Sequence, residues 1–198
     1  HIKNVVNYKC KYILNKCSAF YSVFASTVLN LFSKFLLNKS KQKSSAFSAS
    51  HTEEIVNYNS LFIKNSAGEQ ANGGALDLIA VSIAKNIKCY FYKNSANDGG
   101  AIYAYSVRIL INNCTTIANN ADGWSGTTIE SKGHNKMTFI SINCSFIANK
   151  GFWRTINLQN AFSVRNYYTK FIKNSLALYI AHGKEVLNYK CIFISNER

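Results

Sequence analysis

Residues 86–104 read Asn86-Ile87-Lys88-Cys89-Tyr90-Phe91-Tyr92-Lys93-Asn94-Ser95-Ala96-Asn97-Asp98-Gly99-Gly100-Ala101-Ile102-Tyr103-Ala104. Within it, Phe91 precedes Asn94 by three positions, and the same aromatic-to-Asn step recurs as Tyr12–Asn15, Phe35–Asn38, Phe62–Asn65, Phe146–Asn149, Phe171–Asn174 and Phe193–Asn196. Thr116–Asn119 fills the remaining gap. The eight Asn residues stand 23, 27, 29, 25, 30, 25 and 22 residues apart. Periods of that size mark solenoids, so the repeat is the first thing to explain.

Other columns fall into line with it. A second Asn stands eight residues earlier, at Asn7, Asn30, Asn57, Asn86, Asn166 and Asn188, and Cys stands five earlier, at Cys10, Cys89, Cys114, Cys144 and Cys191. After the repeat Asn comes a turn rich in Ser, Ala, Asn and Gly. A short apolar alternation follows, as in Ala75-Leu76-Asp77-Leu78, Ala101-Ile102-Tyr103-Ala104, Thr155-Ile156-Asn157-Leu158 and Ala177-Leu178-Tyr179-Ile180. Each unit therefore holds three short strands of period two separated by turn residues.

Three short strands cannot bury an apolar face alone, but stacked copies can. The expected fold is all-β, a right-handed parallel β-helix of about eight rungs of 22–30 residues, with 1–198 as a single domain. Because the chain opens at His1 and closes at Arg198 inside the pattern, it reads as a piece of a longer protein. Phe62, Phe91, Phe146 and Phe171 should line the interior, together with the thiols two positions before the aromatic. Asn65, Asn94, Asn119, Asn149 and Asn174 should form a structural ladder, amide on amide, at bends where Asn tolerates unusual backbone angles. Stacked thiols on parallel strands have poor geometry for disulfides, so the cysteines read as small buried hydrophobes. No CxxC pair or Cys/His cluster points to a metal, and no cofactor is expected.

The alternation of Phe-x-x-Asn with Gly-Gly-Ala-Ile resembles the repeats of the chlamydial polymorphic outer-membrane proteins. It stands here as Phe62-Ile63-Lys64-Asn65 with Gly73-Gly74-Ala75-Leu76, and as Phe91-Tyr92-Lys93-Asn94 with Gly99-Gly100-Ala101-Ile102. Related repeats occur in surface-protein families of parasitic protists. The resemblance implies a pectate-lyase-like β-helix, a cell-surface or extracellular location and a role in adhesion. The Gly-Gly-Ala half is intact in only two units.

Lys and Arg outnumber Asp and Glu by 23 to 9, a formal charge of +14. Such a charge favours polyanions. The same richness in Lys, Asn, Ile, Phe and Tyr, with no Pro, is also what an AT-rich genome produces. Lys64, Lys93 and Lys173 precede the repeat Asn, while Lys9, Lys88 and Lys190 precede the Cys position. Two such basic columns would suit acidic glycans, or they would simply be a solvated face. Nothing indicates a specific nucleic acid. Phe20 to Leu37, the most apolar stretch, is broken by Ser22, Ser26, Asn30, Ser33 and Lys34, too polar for a membrane-spanning helix.

Candidate binding residues lie on the strand after the turn. Tyr21, Asp77, Tyr103, Asn157 and Tyr179 make an outward row whose tyrosines could stack on sugar rings, or could merely suit a strand. Trp124, Trp153 and Arg154, with Lys132 and His134 nearby in sequence, could form an aromatic–basic patch or pack the turns. Glu69, Asp98 and Asp122 follow the Asn turn on successive units. They could bind Ca²⁺, serve as an acid/base pair on a glycosidic bond, or be ordinary turn residues. No compact catalytic cluster is visible. The sequence thus reads as a surface-exposed or secreted β-helix binding and adhesion scaffold for glycans or host proteins, without catalysis. A carbohydrate-active enzyme, a lyase or hydrolase or a remnant of one, is the alternative.

Overall fold

A chain that must turn three times per rung without proline needs another device at its corners. In the computed structural model, which describes residues 2–41, 46–68, 71–121, 126–133, 136–151 and 154–197, that device is a single residue in the left-handed conformation. Among the described residues 21 non-glycine positions have φ near +50°. They form three columns. The first lies two residues beyond the earlier Asn, or beyond Ser141 in its place, at Lys9, Phe32, Asn59, Lys88, Asn143, Tyr168 and Lys190. The second lies immediately before the repeat Asn, at all eight of its occurrences from Leu14 to Ser195. The third closes the post-turn strand, at Phe24, His51, Ala80, Ser106, Asn160 and His182.

Each such residue carries a strain of roughly 1–3 kcal/mol. The coil compensates because the bent residue keeps its place in the ladder. Lys64 N donates to Tyr92 O at 2.8 Å, Asn59 N to Ile87 O at 2.9 Å and Ala80 N to Tyr105 O at 2.8 Å. Most of the described corners are hydrogen-bonded in this way to the rung beyond.

The straight segments between corners stack into parallel sheets. The longest path holds eight strands: Ile2–Tyr8, Ala25–Leu31, Glu54–Tyr58, Ile83–Tyr92, Ile109–Ile117, Met137–Ile142, Ala161–Tyr167 and Glu185–Tyr189. Short strands such as Lys34–Leu36, Leu61–Ile63 and Lys170–Ile172 stack beside it. A second sheet has seven strands, from Phe20–Val23 to Leu176–Ala181, and a third has five two-residue strands, from Lys39–Ser40 to Lys150–Gly151. All pairings are parallel, and no described residue is helical. The fold is a parallel β-helix of about seven full turns.

Its interior is built from the columns. Tyr12, Phe35, Phe62 and Phe91 stack face to face with ring centroids 4.7, 4.8 and 4.9 Å apart, and Phe146, Phe171 and Phe193 continue at 5.0 and 4.8 Å. Thr116 occupies the gap. Phe62 and Phe91 are completely buried, each worth roughly 1.5–3 kcal/mol.

The repeat Asn residues saturate their amides. Asn94 donates from Nδ2 to Asn119 Oδ1 at 3.0 Å and to Phe62 O at 2.9 Å, while its Oδ1 accepts from Asn65 N and Nδ2 at 3.0 and 2.9 Å. The pattern repeats from Asn15 to Asn196. Asn38, formally a glycosylation acceptor in Asn38-Lys39-Ser40, is one of these buried rungs.

The earlier Asn column also stacks, Asn7 to Asn30, Asn57, Asn86 and then Asn112. Asn112 escaped the fixed eight-residue spacing because the fifth rung is one residue short between Ile87 and Cys89 in the pairing. Ser141 then replaces Asn and donates to Asn166. The ladder breaks there, and Asn112 Nδ2 is buried without an acceptor among the described residues.

The cysteine column has a polar task that its apolar reading missed. Cys89, Cys114 and Cys144 point Sγ at the carbonyls of Asn57, Asn86 and Asn112, 3.1–3.2 Å away. Ser33 and Ser60 make the same bond to Asn7 and Asn30 at 3.0 Å. A hydrogen-bond donor is what the corner selects. All six cysteines are free thiols.

Candidate functional site

The post-turn sheet gathers most of the chemistry. Its register aligns Tyr21, Ser48, Asp77, Tyr103, Glu130, Asn157 and Tyr179 in one row. Alternation places them between the inward residues Leu76 and Leu78, Ile102 and Ala104, Ile156 and Leu158. Ser48 and Glu130 are members that the sequence did not offer. Glu130 sits in the rung where Gly-Gly-Ala has decayed to Ser125-Gly126-Thr127-Thr128.

The row is not the open tyrosine face expected of it. Tyr103 is only 8% exposed and Glu130 is fully buried, whereas Tyr179 and Tyr21 near the two ends are 36% and 55% exposed. Burial raises the pKa of the Tyr103 hydroxyl. Lys132 works against that effect, and Asp98, Asp77 and Glu130 reinforce it. Burial also pushes the Asp77 carboxyl up to about 6, with a contact from Ser48 Oγ partly offsetting it. Lys132 Nζ lies 3.0 Å from Asp98 Oδ2 and 3.6 Å from Glu130 Oε1. Burial opposes its charge, but these carboxylates prevail and hold its pKa above the ordinary lysine value.

Asp98 therefore faces a lysine of the next rung rather than a stack of carboxylates. On the preceding rung its backbone partner is Asn72. Glu69 and Asp122 lie outside the described residues, as do Trp124, Trp153 and His134. Of the aromatic–basic patch, Arg154 is described: its guanidinium carbon lies 3.4 Å from the centroid of the Tyr179 ring, and Nη1 lies 3.4 Å from Asn157 Oδ1. The structure thus brings Tyr103 and Asp98 together with Asp77, Glu130 and Lys132, and separately joins Tyr179 to Arg154. Among the described residues no group of three His, Cys, Asp or Glu side chains is placed to hold a metal ion.

The glycines of this turn have a steric cause. Gly73 and Gly99 have φ of +66° and +60°, and a Cβ on either would stand 2.2–2.3 Å from the carbonyl oxygen three residues on.

A second assembly lies at the first corner and is solvent-exposed. Tyr8 and Phe32 meet edge to face at 6.0 Å and Phe32 and Tyr58 at 5.5 Å, with Lys9 over Tyr8 at 5.0 Å and Lys88 over Tyr58 at 5.7 Å. Further along, Tyr168 and Tyr189 meet at 5.6 Å with Lys190 within 5.8 Å of both rings. The lysines were visible as a column. Their aromatic neighbours were not, because Phe32 and Tyr168 occupy corner positions that share only a backbone conformation.

Residues 88–105 match the repeat of the Chlamydia polymorphic membrane proteins. That segment contains Phe91, Asn94 and the Gly99-Gly100-Ala101-Ile102 turn, so the resemblance read from the sequence is borne out there. Neither a curated protein nor a solved structure matches the chain. The matched repeat and the parallel β-solenoid are together consistent with a surface scaffold.

Proposed function

We propose that this protein is a surface-exposed or secreted β-helix adhesion scaffold that binds acidic glycans without chemically altering them. The observation that carries the reading is the exposed ridge of edge-to-face aromatics and lysines along the first corner. Exposed rings offer apolar faces to sugar C–H groups, and the ammonium groups meet carboxylate or sulfate. The repeat's likeness to a membrane-protein family supports that location. Among the described residues no helix is long and apolar enough to cross a membrane.

The test is retention on immobilised heparin and polygalacturonate, with cleavage measured in parallel. Retention should weaken with salt, and Lys88→Gln with Lys190→Gln and Tyr168→Ser should reduce affinity about tenfold, near 1.4 kcal/mol. Unaltered retention of the triple variant would refute the ridge. No retention on any polymer would refute the glycan and leave a protein partner.

One observation favours the enzymatic alternative: Asp77 has a carboxyl titrating near 6, close to Tyr103 and in the same row as Glu130. Polymer cleavage that vanishes in Asp77→Asn would establish it. The burial of Glu130 and Tyr103 is why binding is preferred.

A further inference from the structure

The short strands between the first and second corners carry an outward apolar row. Leu36, Ile63, Tyr92, Ile147 and Ile172 stand in register, all partly exposed, and the row extends to Ile13 and Ile194 at the two ends. Inward alternation cannot explain it, because the inward position of each of these strands is already taken by Tyr12, Phe35, Phe62, Phe91, Phe146, Phe171 or Phe193. At roughly 4.8 Å per rung the row is about 34 Å long. Soluble proteins seldom leave an apolar row of that length facing water without a use for it.

Its flanks are basic on both sides. Lys11, Lys34 and Lys170 lie on one, and Lys64, Lys93 and Lys173, at the second corner, lie on the other; all six are exposed. The eight segments 11–14, 34–37, 61–64, 90–93, 115–118, 145–148, 170–173 and 192–195 contain no Asp or Glu. The nine carboxylates of the chain all lie elsewhere.

We infer that this face docks on an anionic lipid bilayer, with the apolar row entering the headgroup boundary and the lysines meeting lipid phosphates and carboxylates. A straight apolar line with lysines on both of its sides and no acid has the cross-section of an interfacial membrane-binding surface. A second copy of the chain is disfavoured, because apposing two such faces brings lysine against lysine. An extended peptide would gain no backbone hydrogen bonds, since the strands already spend theirs on neighbouring rungs, as in Lys34 N to Cys10 O at 2.8 Å and Leu61 N to Ser33 O at 2.9 Å. A flat, saturated surface fits a flat partner. The inference does not depend on the glycan-binding ridge.

Co-sedimentation of the chain with vesicles tests it, using phosphatidylcholine alone against phosphatidylcholine with phosphatidylserine. Binding should require the anionic lipid. Each lysine near such a surface is worth roughly a fivefold change in partitioning, so Lys34→Gln, Lys64→Gln and Lys93→Gln together should lower it about a hundredfold. Arg108→Gln, Lys136→Gln and Lys184→Gln, which remove the same charge from outside the strip, should lower it far less. Ile63→Thr with Ile172→Thr keeps strand propensity and should weaken vesicle binding while leaving heparin retention unchanged. Absence of binding to the anionic vesicles would overturn the inference. So would equal losses in the two charge-removal variants, or an apolar double variant that binds vesicles as the parent does. No vesicle binding by the parent, with heparin retention lost in the Lys34→Gln, Lys64→Gln, Lys93→Gln variant, would assign the strip to polysaccharide instead.

Discussion

Replacing Asn94 by Ala isolates what the amide ladder is worth. The side chain makes four hydrogen bonds: two donated, to Asn119 Oδ1 and Phe62 O, and two accepted, from Asn65 N and Nδ2. All four disappear. Asn65 Nδ2 keeps its bond to Phe35 O, and Asn119 Oδ1 keeps the Asn94 backbone N–H, but the Asn65 N–H is left buried with nothing to replace the lost oxygen. At a net of about 1 kcal/mol per bond, with the orphaned donor included, the loss comes to about 4 kcal/mol. Asn15, at the first position of the same ladder, makes a single side-chain bond, to Asn38 Oδ1, and Asn15→Ala should cost about 1 kcal/mol. In urea unfolding followed by far-ultraviolet circular dichroism, with a slope of about 2 kcal/mol per molar, Asn94→Ala should lower the midpoint by about 2 M. Asn94→Asp sharpens the test, since it preserves shape but replaces a donor by a second acceptor facing Phe62 O and Asn119 Oδ1. Its buried carboxyl would have a pKa raised above the unfolded value. The variant should therefore lose stability as pH rises from the unfolded pKa through the folded one, and recover it below. If Asn94→Ala and Asn15→Ala unfold within 1 kcal/mol of each other, roughly the net worth of one bond, the ladder is not what fixes these corners.

Ser141→Asn should restore the broken earlier ladder by giving Asn112 Nδ2 an acceptor while still donating to Asn166; a gain of about 1 kcal/mol, read as a higher thermal midpoint, is expected, and a loss would show that the sixth rung lacks the room. Thiol labelling should separate the cysteines. Exposed Cys17 reacts in the native state, while Cys114, held well above the usual thiol range by burial, and Cys144, pushed up to about 11, react only on unfolding. Asp77 should make stability fall with rising pH. Its folded pKa of about 6 exceeds the unfolded value, so the folded state binds the extra proton between about pH 4 and 6. Comparing thermal midpoints on either side of that window, Asp77→Asn should abolish a difference of order 2–3 kcal/mol.

The Phe-x-x-Asn register was legible because each of its two residues has a side-chain task that few others can perform. Phe62 and Phe91, 29 residues apart in sequence, lie with rings 4.9 Å apart because nothing smaller fills that interior without a void. Asn is the side chain that can both accept and donate in the stacked geometry of Asn65, Asn94 and Asn119. Elsewhere the requirement falls on a chemical function or on the backbone, and residue names drift. Ser33, Ser60 and Thr169 stand among the cysteines because any donor can cap the corner carbonyls. The third corner passes through Phe24, His51, Ala80, Ser106 and Asn160, since its bond is made by the main chain. Glu130 and Asn112 were missed for another reason: both lie in irregular rungs, where counting residues no longer counts positions.

The same division explains how the rod comes to have electrically distinct sides. Interior columns and corners fix the coil and place almost no demand on outward residues, so outward chemistry is free to vary by face. Carboxylates use that freedom unevenly. Asp77, Asp98 and Glu130 gather with Lys132 on the post-turn sheet, where burial makes isolated charge expensive, while Glu54 and Glu185 pair with Lys85 and Arg165 on the long sheet. The short-strand face receives lysines and no acid. Codon bias toward lysine would scatter it among all outward positions and would leave carboxylates on this face as often as on the others. A net charge of +14 is therefore less informative than its placement: every acid of the chain stands off the short-strand face, and the lysines of that face have no carboxylate beside them in its own segments.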